Sequence, residues 1–143
     1  MDIRVCGAMR IRLAGLAVAS LLARGVGAQS PSPQSAAMTP VGIWRGTSVC
    51  LVRPSACNDE IVVYRIAHTQ AADSLTVDAR KIVRGEEQAM GVLTCRVTSP
   101  TGPLTCAMPQ GTWQFRVRND SLVGELRLPD NTKFRDVRTI RVP

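Results

Sequence analysis

From Val41 onward the chain consists of short stretches in which apolar and polar residues alternate, broken by clusters of Gly, Pro, Asn and Asp. Alternation with a period of two is the pattern of a strand with one buried face. No window sustains apolar residues at helical spacing with a matching cap, so the pattern predicts an all-β domain. Eight strands are expected. The first four cover about Val41–Val52, Glu60–His68, Ser74–Val83 and about Gln88–Thr98. The fifth covers Leu104–Met108, the sixth is centred on Trp113–Val117, the seventh runs from Leu122 to Leu128, and the last covers about Thr132–Val142.

The same alternation assigns faces. Val62, Tyr64 and Ile66 share one face, as do Leu75, Val77 and Ala79, then Leu93, Cys95 and Val97, then Leu104, Cys106 and Met108. The sixth and seventh strands are specified most closely. Trp113, Phe115 and Val117 lead into Asn119-Asp120, a two-residue turn of types that tolerate positive φ. That turn pairs Val117 with Leu122, Phe115 with Gly124 and Trp113 with Leu126, so in-facing residues meet in-facing residues. Gly124 leaves room for the Phe115 ring to lie across the strand. On the last strand, an odd loop through Pro129-Asp130-Asn131 would set Phe134 against Leu128. The odd spacing of Val137 and Ile140 predicts a bulge near Asp136. Sequential hairpins leave two architectures, a closed barrel or a small sandwich. An eight-stranded antiparallel up-and-down (meander) barrel is expected, because closure removes both sheet edges.

The residues ahead of this region have a different character. Arg4, Arg10 and Arg12 precede an apolar run from Leu13 to Leu22, and Val26-Gly27-Ala28 supplies the small residues of a cleavage site. This is the pattern of a signal peptide over residues 1–28, cut before Gln29. The run is about half the roughly 20 residues that a membrane-spanning helix needs; the alternative is an amphipathic N-terminal helix of the domain. Residues 29–40 carry three prolines and no periodicity, and read as a flexible linker to a barrel domain over 41–143. The 143-residue chain has net charge +7, and removing four basic residues and one acidic residue with the signal leaves +4. So mild an excess is an ordinary solvated face. Nucleic-acid binding would want clustered cations among exposed aromatics, and the aromatics here fall on in-facing positions.

Cysteine usage points the same way. Cys6 leaves with the signal, and Cys50, Cys57, Cys95 and Cys106 remain, an even set that reads as disulfides in an exported chain. Local geometry prefers Cys50 with Cys57 around a loop containing Pro54, and Cys95 with Cys106. Pairing Val97 with Leu104 sets Cys95 directly across from Cys106, within bridging distance. Packed thiols are the alternative. A zinc site would lack any C-x-x-C pair and have only His68 to complete it. The expected location is the bacterial periplasm or the medium outside the cell.

Gly42-Ile43-Trp44 on the first strand resembles the G-x-W signature of the lipocalin (calycin) barrels. The resemblance implies that Trp44 plugs one end of the barrel. It also implies that an arginine of the last strand, Arg135, Arg138 or Arg141, packs over the indole as a cation–π contact. The chain is shorter than a typical lipocalin and shows no C-terminal helix. Its size is nearer to fatty-acid-binding-protein-like or avidin-like barrels, without a helix pair for a lid. The stretch W-x-G-T-S-x-C…C-x-D-E…Y, from Trp44 to Tyr64, also resembles small exported bacterial proteins of unknown role.

Function is less legible. Trp44, Tyr64, Ile66, Val77, Leu93, Trp113, Phe115 and Leu126 all face inward. They are the candidate lining of a pocket for a small apolar or amphipathic ligand. The alternative is that they fill the barrel, which then acts through surface contacts as an envelope-protein partner or an inhibitor of a secreted enzyme. Catalysis finds little. His68, the one histidine, has no nucleophile paired with it. Asp59-Glu60 and Glu86-Glu87 are neighbours along strand ends, so their side chains point to opposite faces and neither makes a two-carboxylate site. No phosphate loop or nucleophile elbow occurs. The expectation is a non-catalytic exported binding protein with no cofactor and no metal.

Overall fold

The computed structural model describes residues 39–99 and 102–143. The signal peptide and nearly all of the linker expected ahead of Val41 lie outside the described residues. The strands are β1 (Gly42–Cys50), β2 (Glu60–His68), β3 (Ser74–Val83), β4 (Glu86–Val97), β5 (Leu104–Met108), β6 (Gly111–Arg118), β7 (Ser121–Arg127) and β8 (Lys133–Val142). Each pairs antiparallel with the next, and β8 pairs back with β1, so the sheet closes into an eight-stranded meander barrel. Closure decides against a sandwich; β4 joins β5 only at Arg96–Thr105 and Val97–Leu104, so among the described residues its edge from Glu86 to Cys95 has no ladder partner.

The hairpin turns set the register. Between β6 and β7, Asn119 takes φ 54° and Arg118 pairs with Ser121, which gives the pairs Val117–Leu122, Phe115–Gly124 and Trp113–Leu126 expected from the sequence. Arg84 and Gly85, both at positive φ, make the tight turn between β3 and β4. Farther along that pair, Ala79 faces Gly91 while Arg80 faces Ala89, so Met90 is an extra, bulged residue. At the seam, Gly46 faces Thr139. A Cβ there would meet the Arg138 carbonyl and lie 2.7 Å from the Thr139 Cα, so only glycine lets β1 and β8 approach this closely.

The last strand departs from expectation. Leu126 pairs with Arg135 and Arg127 with Lys133, which makes Phe134 the extra residue. The bulge therefore falls two residues before Asp136, and Phe134 does not oppose Leu128. Ile140 points outward and is 65% exposed, while Arg135, Val137, Thr139 and Arg141 form the inward row. Apolar residues are spread over both faces of β8, so apolarity could not decide its parity. What decides it is that Arg135, Thr139 and Arg141 each reach specific acceptors from that row.

The core is a single cluster inside the barrel, with Trp44, Val62, Tyr64, Ile66, Val77, Leu104, Phe115, Leu122 and Val137 almost wholly buried. Two disulfides fasten its wall. Cys50–Cys57 closes the loop after β1, and Cys95–Cys106 crosses between β4 and β5.

Candidate functional site

The eight residues expected to line a pocket all point into the barrel. Trp44, Tyr64, Ile66, Val77, Phe115 and Leu126 are buried; Leu93 and Trp113 are half-buried. The structure brings three of the rings together. Tyr64 on β2 and Phe115 on β6 stand on opposite walls of the barrel, yet their ring centroids are 5.4 Å apart at 62°, an edge-on contact. Phe115 in turn stacks on Trp113, with centroids 5.4 Å apart and planes 9° from parallel. An eight-stranded barrel is just wide enough to be filled by its own side chains or to hold one small ligand. Here the aromatic side chains meet across the lumen. Gly124 makes this geometry feasible, because a Cβ there would fall against the Phe115 ring, 2.8 Å from Cε1.

The ends of the lumen are closed by polar contacts from β8. At one end Arg141 lies over Trp44, with its guanidinium carbon 4.2 Å from the ring centroid. Of the three arginines named from the sequence, this is the one on the ring. Its Nη1 donates to the Val41 carbonyl (2.7 Å) and its Nη2 to the Thr39 carbonyl (2.6 Å), while the Trp44 indole N–H donates to the Pro40 carbonyl at 2.7 Å. Residues 39–41 are thereby strapped across the tryptophan end. Gly42 has φ 140°, and a Cβ on it would collide with the Arg141 guanidinium, so the glycine of G-x-W makes room for the arginine.

Toward the other end, buried Arg135 donates from Nη1 to Glu60 Oε2 (2.8 Å) and Ser48 Oγ (3.3 Å), and from Nη2 to the Asn58 carbonyl. Lys81 approaches Glu60 from the mouth, at 3.6 Å. Burial pushes the Tyr64 phenol well above its ordinary value; the Arg135 charge and the Ser48 hydroxyl pull the other way, and Glu60 adds slightly to the rise. The polar interior of Ser48, Glu60, Arg135 and Thr139 was missed by the sequence reading. The usable signal was parity: Arg135 shares Val137's face.

Asp59 and Glu87, singled out from the sequence, are held in ion pairs. Asp59 accepts from the Cys50 N–H (2.8 Å) and from Arg53 (2.9 Å). Glu87 forms a two-pronged pair with Arg65 at 2.7 and 3.1 Å. His68 is exposed at the end of β2. Among the described residues no group of three His, Cys, Asp or Glu side chains is arranged to hold a metal. The W-x-G-T-S-x-C…C-x-D-E…Y stretch thus carries structural jobs along its length. Trp44 plugs, Gly46 closes the seam, Ser48 and Glu60 hold Arg135, Cys50 bridges Cys57, and Asp59 anchors the loop.

Open clefts lie outside the barrel. One, of about 480 Å3, runs over the outer wall of β6, β7 and β8 between Arg116, Val123 and Arg138. A second, of about 350 Å3, continues from Val123 and Arg138 across to Arg45 on β1. Comparison of the chain with known protein families, with curated proteins and with solved structures finds no match.

Proposed function

We propose that this chain is an exported, non-catalytic binding protein whose barrel is filled and which acts through its outer wall. The observation that carries the reading is the contact between Tyr64 and Phe115, whose rings meet from opposite walls with centroids 5.4 Å apart. A carrier needs an apolar space of roughly 300 Å3 or more, and these rings take up the width of the lumen. We also propose kinship with the lipocalin and calycin barrels, supported by Trp44 at one end beneath Arg141. The periplasmic or extracellular location is supported by two disulfides, which persist in oxidising compartments.

The test is titration with a lipophilic fluorescent probe, read through Trp44 and Trp113. The native protein should show no saturable quenching. Phe115→Ala, which opens a cavity, should gain probe binding. Saturable binding to the native barrel, abolished by filling substitutions at Val77 or Leu93, would restore the carrier reading.

A further inference from the structure

The outer wall is not electrostatically uniform. On the side of β2 and β3, outward cations are neutralised in place: Arg65 holds Glu87 at 2.7 Å and Arg80 holds Asp78 at 3.0 Å. On the side of β6, β7 and β8 the register sets Arg116, Val123 and Arg138 in one cross-strand row. The adjacent row contains Arg118, Ser121 and Ile140. Among the described residues Arg116 and Arg118 form no ion pair. Arg138 reaches Asp136 only at 3.7 Å, with its side chain 81% exposed.

The acids of this face do not quench these three. Lys133 holds Asp136 at 2.7 Å and Glu125 at 3.5 Å, and Arg127 holds Glu125 at 2.6 Å. Asp120, in the turn beyond Arg118, makes no ion pair among the described residues. The cleft of about 480 Å3 is therefore polarised, with satisfied acids at the Lys133 end and three guanidiniums at the other. Its floor there is Val123, and Ile140 stands 65% exposed beside it. At the floor of this trough β7 is paired on both sides, by β6 and by β8, which leaves side chains to do the recognition there.

We propose that this trough is a docking site for an extended acidic segment of a partner protein, with carboxylates at alternate positions and small or apolar residues between them. The proposal rests on the outer-wall reading above and names its partner's chemistry. Arg116 and Arg118 are two apart on one strand, about 6.6–7 Å between their Cα atoms, which is also the spacing of alternate side chains in an extended peptide lying alongside. Arg138 stands on the opposite bank, about two strand spacings or roughly 9.5 Å away, so the segment is held between the banks above Val123. Guanidinium forks match carboxylates two bonds at a time, which a point charge does not. The residues between the carboxylates point to the other bank, where Ile140 stands exposed on β8.

The experiment uses the full mature protein and a labelled synthetic peptide of alternating glutamate and valine, with binding read by fluorescence anisotropy at low and physiological salt. A peptide of the same composition with its glutamates in one block, and a sulfated oligosaccharide, are the competing probes. The alternating peptide should bind more tightly than the blocked one, and more weakly as salt rises. The triple variant Arg116→Gln/Arg118→Gln/Arg138→Gln should lose about tenfold in affinity, the scale of three exposed charge pairs. Arg84→Asn, which removes a distant cation while keeping a residue that tolerates the turn's positive φ, should change nothing. Equal loss in Arg84→Asn, or none in the triple variant, overturns the site. Tighter binding of the sulfated oligosaccharide overturns the choice of partner. Lipophilic-probe binding inside the native barrel, with peptide binding intact, would sink the filled-barrel reading and leave this site standing.

Discussion

Arg135 and Arg141 stand on the same face of β8, six residues apart, and each serves one end of the barrel. Arg141 covers the Trp44 ring at 4.2 Å; Arg135 ties Glu60 to Ser48 near the other mouth. One strand thus supplies both polar fastenings of an otherwise apolar lumen.

The Arg141 fastening combines a cation–π contact with two hydrogen bonds to the residue 39–41 strap. Arg141→Ala should destabilise the fold by about 1–2 kcal/mol, because the contact is partly exposed. Urea unfolding measures this, and a red shift of tryptophan emission reports the uncovered ring. Arg141→Lys should recover only part of the loss, since an ammonium cannot stack its plane on the indole or reach both carbonyls as a fork. Full recovery by lysine would argue that charge alone is at work there.

The Arg135–Glu60 pair is more deeply placed. Arg135→Met leaves Glu60 with only the half-exposed Lys81, and Glu60→Leu leaves a buried guanidinium with neutral partners. Each single change should cost about 3 kcal/mol, as removing one member of a buried pair does. The double variant should cost distinctly less than the sum, because no buried charge is stranded. A double-mutant cycle by chemical denaturation gives the coupling directly. Additive losses would show that the ion pair is solvated.

These two arginines also mark where the sequence stopped being readable. β6 and β7 were legible to the residue, because Asn119-Asp120 fixes the turn and the apolar residues other than Val123 keep one face from Trp113 to Leu126. The Cys95–Cys106 bridge followed from the same kind of register argument. β8 was not legible: Phe134, Val137, Ile140 and Val142 are its apolar residues, and the fold puts only Val137 in the interior row. Its inward positions are won by hydrogen bonds. Thr139 donates to the Leu122 carbonyl at 3.0 Å, Arg135 to Glu60 and Arg141 to the strap. Such pairs depend on groups 17 to 102 residues away, which no local pattern displays. The candidate interior residues were readable by parity, but contact across the lumen was not, since it depends on the barrel's diameter. The basic trough needed the register of three strands before its arginines could be seen as neighbours.

Gly124 is the room into which Phe115 folds. Gly124→Ala should cost about 1–3 kcal/mol through overpacking. Phe115→Leu in the same chain should relieve most of that increment, although by itself it loosens the aromatic contact with Tyr64. Thermal unfolding of the two singles and the double checks the coupling. A neutral Gly124→Ala would mean the ring has space to retreat, and with it that the lumen is looser than the Tyr64–Phe115 contact implies.

The Cys95–Cys106 bridge spans a sequence separation of 11, across a turn that β4 and β5 pair only briefly. Chain-entropy reasoning puts its contribution at about 3 kcal/mol. Replacing both cysteines by alanine should lower stability by that order while leaving the strand signature in far-ultraviolet circular dichroism intact. In the chain from Gln29 onward, which lacks Cys6, alkylation under denaturing conditions should find no free thiol until a reductant is added.

Tyr64 is the one tyrosine of the chain, so tyrosinate absorbance reports on it alone. Burial raises its phenol above the ordinary value of about 10, which means that the folded state resists ionisation more than the unfolded chain does. Below about pH 10 both states hold the proton and the contribution to stability is complete. Above it the unfolded chain ionises first, so stability falls by ~1.4 kcal/mol for each further pH unit until the folded phenol also ionises. The native protein should therefore show no tyrosinate band as the pH passes through 10 to 11, and the band should rise together with loss of structure. Tyr64→Phe should remove this segment of the alkaline slope, while Lys133, also raised by its acidic partners, continues to contribute its own. A tyrosinate band titrating near pH 10 in a fully folded protein would place the phenol in water, and the lumen could not then be closed at the level of Phe115.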